Sequence, residues 1–260
     1  MFALQTLSDD LATVSYRSVG KQLAPLIVRT RGHRLEGMWH AGSPMGMILN
    51  SLKGMLVLTP RNMVQASGMY NTLMSCTDPA LIIEPLNAYR LKEKEPLNLG
   101  EFTVPLGKIE IINPGTDITV VSYGSTLKLV EKTIPELERN NINIELIDIQ
   151  SLIPFDLNKD IVESIKKTNK LLIVDEDYPG GASSFILKVL IEDHNGFKYL
   201  DSKPITLTAK EHRTPYGSDG DYFSKPSIDD IFEACYRIMH EYNPKKYPRN
   251  VKKPREYSKW

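Results

Sequence analysis

The 260-residue chain predicts an α/β fold built on mostly parallel sheets, and three observations carry that expectation. Short β-branched or Leu-rich runs alternate with helical stretches along the whole chain. Most of the runs are continuously apolar, as strands covered on both faces are. The helical stretches between them are amphipathic, as layers packed on a sheet must be.

The strand candidates occupy residues 26–29, 55–58 and 81–84, then 118–122, 144–149, 171–174 and 205–208. A helix is expected over 126–139, with Leu127, Val130, Ile134 and Leu137 on one face. The final helix is expected over 228–242. Ser227 precedes it with Asp230 three residues on, a capping box, and Ile228, Ile231, Phe232, Cys235, Ile238 and Tyr242 form its apolar stripe. Pro60-Arg61-Asn62 opens a helix whose Met63, Tyr70, Leu73 and Met74 read as core. At the front, Phe2, Leu7 and Leu11 begin a helical pattern that no Ser, Thr, Asp or Asn caps, so the sequence reads as one that starts late.

A polar, Pro-containing stretch over 91–105 lacks a helix period and divides the chain. The expected organisation is a first lobe over 1–95, a linker over 96–111 and a second lobe over 112–243. A basic arm follows over 244–260, with seven Lys or Arg and three Pro. The first lobe has three strand candidates, too few for a self-sufficient doubly wound sheet, whereas the second has four and looks complete.

Composition removes several function classes. Lys plus Arg and Asp plus Glu both number 32, so no global field favours nucleic acid or a membrane surface. The longest uncharged runs, 37–52 and 62–77, fall short of the ~20 apolar residues a span needs. Residues 1–7 carry no base and Asp9-Asp10 follow, unlike a signal peptide. Cys76 and Cys235 lie far apart in apolar patterns, which points to two buried free thiols and a reducing, cytoplasmic compartment.

The densest polar, Gly-punctuated segment is 29–46, RTRGHRLEGMWHAGSPMG. It follows a strand, where ligands meet open α/β sheets, and holds His33, His40, three arginines and Glu36. Metal ligation by His33, Glu36 and His40 is disfavoured because Gly32 and Gly37 break the helix such spacing needs. No G-x-S-x-G nucleophile accompanies the histidines, so a hydrolase triad is equally weak. A second candidate, 211–226 (EHRTPYGSDGDYFSKP), mixes His212, Arg213, Asp219 and Asp221 with aromatics and reads either as an interface or substrate-facing loop or as a plain connection. Asp175-Glu176-Asp177 closes a strand before Gly180-Gly181, as a turn or, against its own charge, an anion site. His240 reads as solvated, and His194 as part of a helix-ending turn.

Together RTRGHRLEGMWHAGSPMG, PRNMVQASGMYNTL, IEPLNAYRLKEKEPLNLGEFTVPLG, TDITVVSYGS, IDIQSLIPFD, KKTNKLLIVDEDYPGGAS and EHRTPYGSDGDYFSKP resemble the β-type half of thiamine diphosphate-dependent 2-oxo acid dehydrogenases. The likeness covers nearly the whole chain, in order. RGHRLEG and SDGDYFSKP look most like the bacterial branched-chain (2-oxoisovalerate) type in which α-type and β-type halves are fused. The resemblance implies a transketolase-like pyrimidine-binding lobe, incomplete here, followed by a transketolase C-terminal domain. It further implies that a glutamate and an aromatic meeting the aminopyrimidine precede Phe2. Thiamine diphosphate with magnesium would be held largely by that missing segment and by the α-type half. The other partners implied are a second β-type copy and a lipoyl acyltransferase component.

The family has a histidine in an H-S-Q-S-P-like stretch, and His40 in HAGSP takes its place, with Ala41 and Gly42 departing from the commoner Ser-Gln. The implied role is proton donation to the lipoyl thiolate released during acyl transfer, which suits an imidazole near neutral pH. The competing expectation is a folded remnant that serves only as a subunit-interaction module.

Overall fold

Apolar runs that read as doubly covered strands do become sheets with a layer on each side. The structure is a computed structural model in which residues 2–32, 45–217 and 219–248 are described. The strands are β1 Ile27–Gly32, β2 Leu56–Leu58, β3 Ala80–Pro85, β4 Glu110–Asn113, β5 Ile118–Ser122, β6 Ile144–Asp148, β7 Ser151–Ile153, β8 Leu171–Val174 and β9 Ile205–Leu207. They form a four-stranded sheet in the order β1-β3-β2-β7 and a five-stranded sheet in the order β4-β6-β5-β8-β9. Every pairing is parallel except β2–β7 and β4–β6.

The expected α/β class with mostly parallel sheets is therefore observed, and all seven strand candidates are strands. Two further strands correct the count. The first sheet has four strands and not three, because residues 151–153 leave the second sheet and pair with β2. Gln150 makes that exit possible by adopting a positive φ of 58° at the end of β6. The second sheet gains β4 as its antiparallel edge.

The helices are α1 Phe2–Gln5, α2 Val14–Arg17, α3 Met45–Ser51, α4 Met63–Leu73, α5 Leu127–Arg139, α6 Asp160–Thr168, α7 Ala182–Lys188, α8 Gly220–Ser224 and α9 Ile228–Tyr242. A π-helical stretch, Thr6–Leu11, continues α1 and packs Leu7 and Leu11 on the core. The period of two along each strand sorts side chains between layers. Val57, Leu81 and Ile83 join Val121, Ile147 and Ile173 in a core shared with α3, α6 and α7. Their neighbours Leu58, Ala80 and Ile82 turn the other way, onto Met69 and Leu73 of α4. Ile118, Val120, Leu146, Leu172 and Val174 likewise face α5 and α9. Each such fully buried aliphatic side chain contributes ~1.5–3 kcal/mol relative to an exposed one.

Caps fall where the sequence places them. Ser227 accepts from Asp230 N and Asp230 accepts from Ser227 N, the reciprocal box at the start of α9. Asn62 accepts from Gln65 N at 2.7 Å, and Glu93 takes the N–H groups of Met63 and Val64. Of the four residues read as core on this helix, Leu73 is buried, Met74 is 78% exposed, and Met63 and Tyr70 are half-buried, Tyr70 packing against Met69 and Leu73 with its hydroxyl on Glu84. Cys235 is buried and free, with its thiol pushed up to about 12 by burial, while Cys76 is free but half-buried.

Candidate functional site

The 29–46 segment enters from β1 and leaves through α3. Residues 33–44, which include His33, Glu36 and His40, lie outside the described residues. The structure does define both ends. Each is set beside a buried carboxylate.

At the entry, β1 runs parallel to β3 with Arg31 opposite Glu84 and Gly32 opposite Pro85. The Glu84 carboxylate is 1% exposed. It accepts from Tyr70 Oη at 2.6 Å and from Tyr89 Oη, and Arg29 Nε lies 3.4 Å away. Burial, then the hydrogen bond to Glu84, pushes the Tyr70 hydroxyl well above its ordinary range, so it stays a donor.

At the exit, Gly46 N donates to Asp177 Oδ2 across 3.1 Å, joining positions 131 residues apart. Asp177 belongs to the acidic turn after β8. Its neighbour Asp175 accepts from Tyr123 Oη at 2.6 Å, from Asp177 N at 3.0 Å and from Ser183 N at 2.9 Å. Asp177 also accepts from Tyr178 N at 2.9 Å. Burial, then repulsion from Asp175, pushes the Asp177 carboxyl up to about 6. The turn's own carboxylates thus occupy the N–H groups that an anion would need, which decides for the turn over the anion site.

In the second candidate, 211–226, described apart from Ser218, His212, Thr214, Ser224 and Lys225 line a small pocket with Glu176, Tyr178 and Ala209. His212 stacks on Phe223 at 6.0 Å, and Lys210 Nζ sits 3.6 Å above the same ring. Lys225 pairs with Asp221 at 3.3 Å. Tyr216 is 80% exposed. Among the described residues no group of three His, Cys, Asp or Glu is placed to hold a metal ion.

His194 closes the stretch Val189–Asp193, as its turn assignment expects, but it is packed inward against Phe155 with Nδ1 3.7 Å from Asp156 Oδ2. His240 is not simply solvated, since its Nδ1 lies 2.7 Å from Tyr247 O. Sequence reading missed one network altogether. Arg61 grips Glu110 with both terminal nitrogens, at 2.6 and 3.0 Å, and reaches the fully buried Asp148 at 2.8 Å. Gln65 Nε2 donates to Asp148 and to Gln150 Oε1. The partners are 49 and 87 residues from Arg61, so no local pattern could have shown them.

Comparison with known proteins places this architecture. A family model described as "Transketolase, C-terminal domain" matches residues 107–223. A solved structure titled "Split gene transketolase, inactive beta4 tetramer" superposes with a TM-score of 0.64 at 17% identity, over 90% of this chain and 73% of that one, which shows the fold. The chain is 30% identical over 255 residues to the pyruvate dehydrogenase E1 component subunit beta of Chlorokybus atmophyticus, covering 97% of this chain and 74% of that protein. It is 29% identical over 224 residues to the protein of the same name from Acholeplasma laidlawii, covering 85% of this chain and 66% of that one. Similarity to the mitochondrial 2-oxoisovalerate dehydrogenase subunit beta of Chaetomium thermophilum is 28% over 245 residues, or 91% of this chain and 50% of that protein. The chain thus spans between half and three quarters of these relatives.

The chain belongs to the β-type family of thiamine diphosphate-dependent 2-oxo acid dehydrogenases.

Proposed function

We propose that the chain is the β-type portion of a cytoplasmic 2-oxo acid dehydrogenase. With an α-type partner it would oxidatively decarboxylate a branched-chain 2-oxo acid and pass the acyl group to the lipoyl domain of an acyltransferase component, in a complex holding a second β-type copy. The observation that supports this reading is the in-order match to β subunits over nearly the whole chain. On the same reading, residues 1–95 form the pyrimidine-binding lobe, 96–111 the linker, 112–243 the C-terminal domain and 244–260 a basic arm.

Thiamine diphosphate, when bound, supplies the electron sink for decarboxylation. The described residues do not fit its magnesium–diphosphate end: they offer no metal-ligand group, and the 175–177 turn is acidic with its N–H groups taken. That end is therefore assigned to the α-type partner. The chain's own contribution is His40. Acyl transfer opens the lipoyl disulfide, one sulfur becoming the thioester and the other leaving as thiolate. A proton from the His40 imidazolium converts that thiolate to the thiol and leaves neutral imidazole, a step suited to a side-chain type whose ordinary pKa lies near neutral pH.

The branched-chain assignment rests on the RGHRLEG and SDGDYFSKP motifs, with support from a relative named for 2-oxoisovalerate. Relatives named for pyruvate favour the smaller substrate. A panel of 2-oxoisovalerate, pyruvate and 2-oxoglutarate, assayed with an artificial electron acceptor on the chain co-purified with its α-type partner, separates them. The proposal expects the highest kcat/KM for 2-oxoisovalerate. Preference for pyruvate would overturn the branched-chain assignment, and turnover of none would return the chain to a subunit-interaction role.

A further inference from the structure

We propose that the outer edge of β1 is a docking site for an acid-bearing extended segment of a partner chain, which adds to the first sheet as a further strand. The inference concerns assembly and does not depend on the reaction proposed above. β1 ends the order β1-β3-β2-β7, so β3 is its one strand neighbour among the described residues. All six residues of β3 are buried, whereas in β1 Gly32 alone is buried and Arg29 and Arg31 are exposed.

The register fixes which backbone groups point outward. Leu26 O accepts from Ala80 N at 2.9 Å, and the parallel register then runs unbroken from Ile27 opposite Ala80 to Gly32 opposite Pro85. Along a strand the N–H and C=O groups of successive residues point to alternate sides. Those of Val28 and Thr30 therefore face β3, and those of Ile27, Arg29 and Arg31 face away from it. Arg31 O receives the neighbouring Thr30 hydroxyl at 3.2 Å, and its second lone pair can still accept. Such an edge is a template for strand addition unless a proline, a bulge or a short length blunts it. β1 runs for six residues, without Pro and without a shift in register.

Charge selects the occupant. Ile27, Arg29 and Arg31 share one face by the period of two, and Ile27 packs there with Met69 and Leu73 of α4. Arg29 Nε lies 3.4 Å from Glu84 Oε2 on that face, and the fork of its terminal nitrogens has the geometry that a carboxylate takes. Burial, then the bond to Glu84, raises the Tyr89 hydroxyl, while Arg29 and Arg31 both act to lower it, so the two guanidinium groups lie around one spot. A second copy pairing edge to edge meets repulsion there. Antiparallel registers centred on Arg29 or on Thr30 both set Arg opposite Arg, and like charges directly opposite are destabilising. A strand with Asp or Glu at alternate positions instead sets carboxylates opposite both arginines.

The test titrates the full chain with an acetylated octapeptide alternating Thr and Glu. Three more peptides accompany it: one with Gln for Glu, one with Lys for Glu, and the Glu peptide N-methylated at every residue. The Glu peptide should bind about tenfold more tightly than the Gln peptide, the worth of two opposite-charge cross-strand pairs, and should weaken as salt is raised. The Lys and N-methylated peptides should not bind. Amide hydrogen exchange should slow at Ile27, Arg29 and Arg31 on binding, with α9 unchanged. Arg31→Glu should reverse the preference towards the Lys peptide. Absence of binding, equal affinity for the Glu and Gln peptides, or undiminished binding of the N-methylated one would overturn the proposal. Self-association in light scattering that slows exchange at the same three amides would overturn it too, by making the occupant a second copy.

Discussion

Asp148, Asp175 and Asp177 are buried carboxylates, each met by donors from more than one element. For Asp177 the donors do not offset burial and the nearby charge of Asp175, and its carboxyl is raised from 3.8 to about 6. Between those values the folded protein holds a proton that the unfolded chain has released. The contribution to stability is therefore fully present in acid, below 3.8, and is lost as pH rises through about 6. Asp177→Asn has no such titration. Its thermal midpoint relative to wild type should become more favourable between about pH 4.5 and about pH 7.5. A difference that stays flat with pH would contradict the burial argument. These pairings were illegible in the sequence. The acidic triplet showed itself as a turn, yet nothing local could say that its third member would meet Gly46.

At the scale of elements, the sequence was most informative where a single segment carries its own instructions. Ser227 and Asp230 lie three apart and form the capping box that their spacing predicts. Ser227→Ala should cost about 1 kcal/mol in urea denaturation, in the usual range for losing an N-cap. No change in midpoint would show that flanking contacts, not the cap, hold the start of α9. Continuous apolar runs were equally legible as strands. What escaped was β4 and β7. The strand candidate over 144–149 stops short of β7, because the positive φ at Gln150 turns the chain and residues 151–153 pair with the other sheet. That choice depends on an available edge on β2, which is long-range information.

At the scale of the molecule, the two sheets are tied by a shared core and by Arg61, which reaches from the start of α4 to Glu110 on β4 and Asp148 on β6. Arg61→Met would leave Asp148 buried with only Gln65 and Gln150 as donors, and should destabilise by about 3 kcal/mol. Glu110→Gln should cost under ~1 kcal/mol because that partner is 45% exposed at its side chain. Similar costs for the two would mean that the tie acts through its exposed half. With the magnesium–diphosphate end assigned to the α-type partner, as proposed, the chain alone should bind thiamine diphosphate more weakly than ~1 μM, with too few contacts to offset the cost of association. Calorimetry showing tighter binding would place that site within this chain.

The most direct test of the account is His40→Ala in the complex with the α-type partner, measured by two assays on one preparation. If His40 supplies the proton to the lipoyl thiolate, acyl transfer to a lipoyl domain should slow ~10²–10⁴-fold, the usual worth of a positioned acid–base group. Decarboxylation coupled to an artificial electron acceptor bypasses that thiolate and should lose far less. Equal losses would make His40 a cofactor- or substrate-positioning group, and an unchanged rate in both assays would contradict the account.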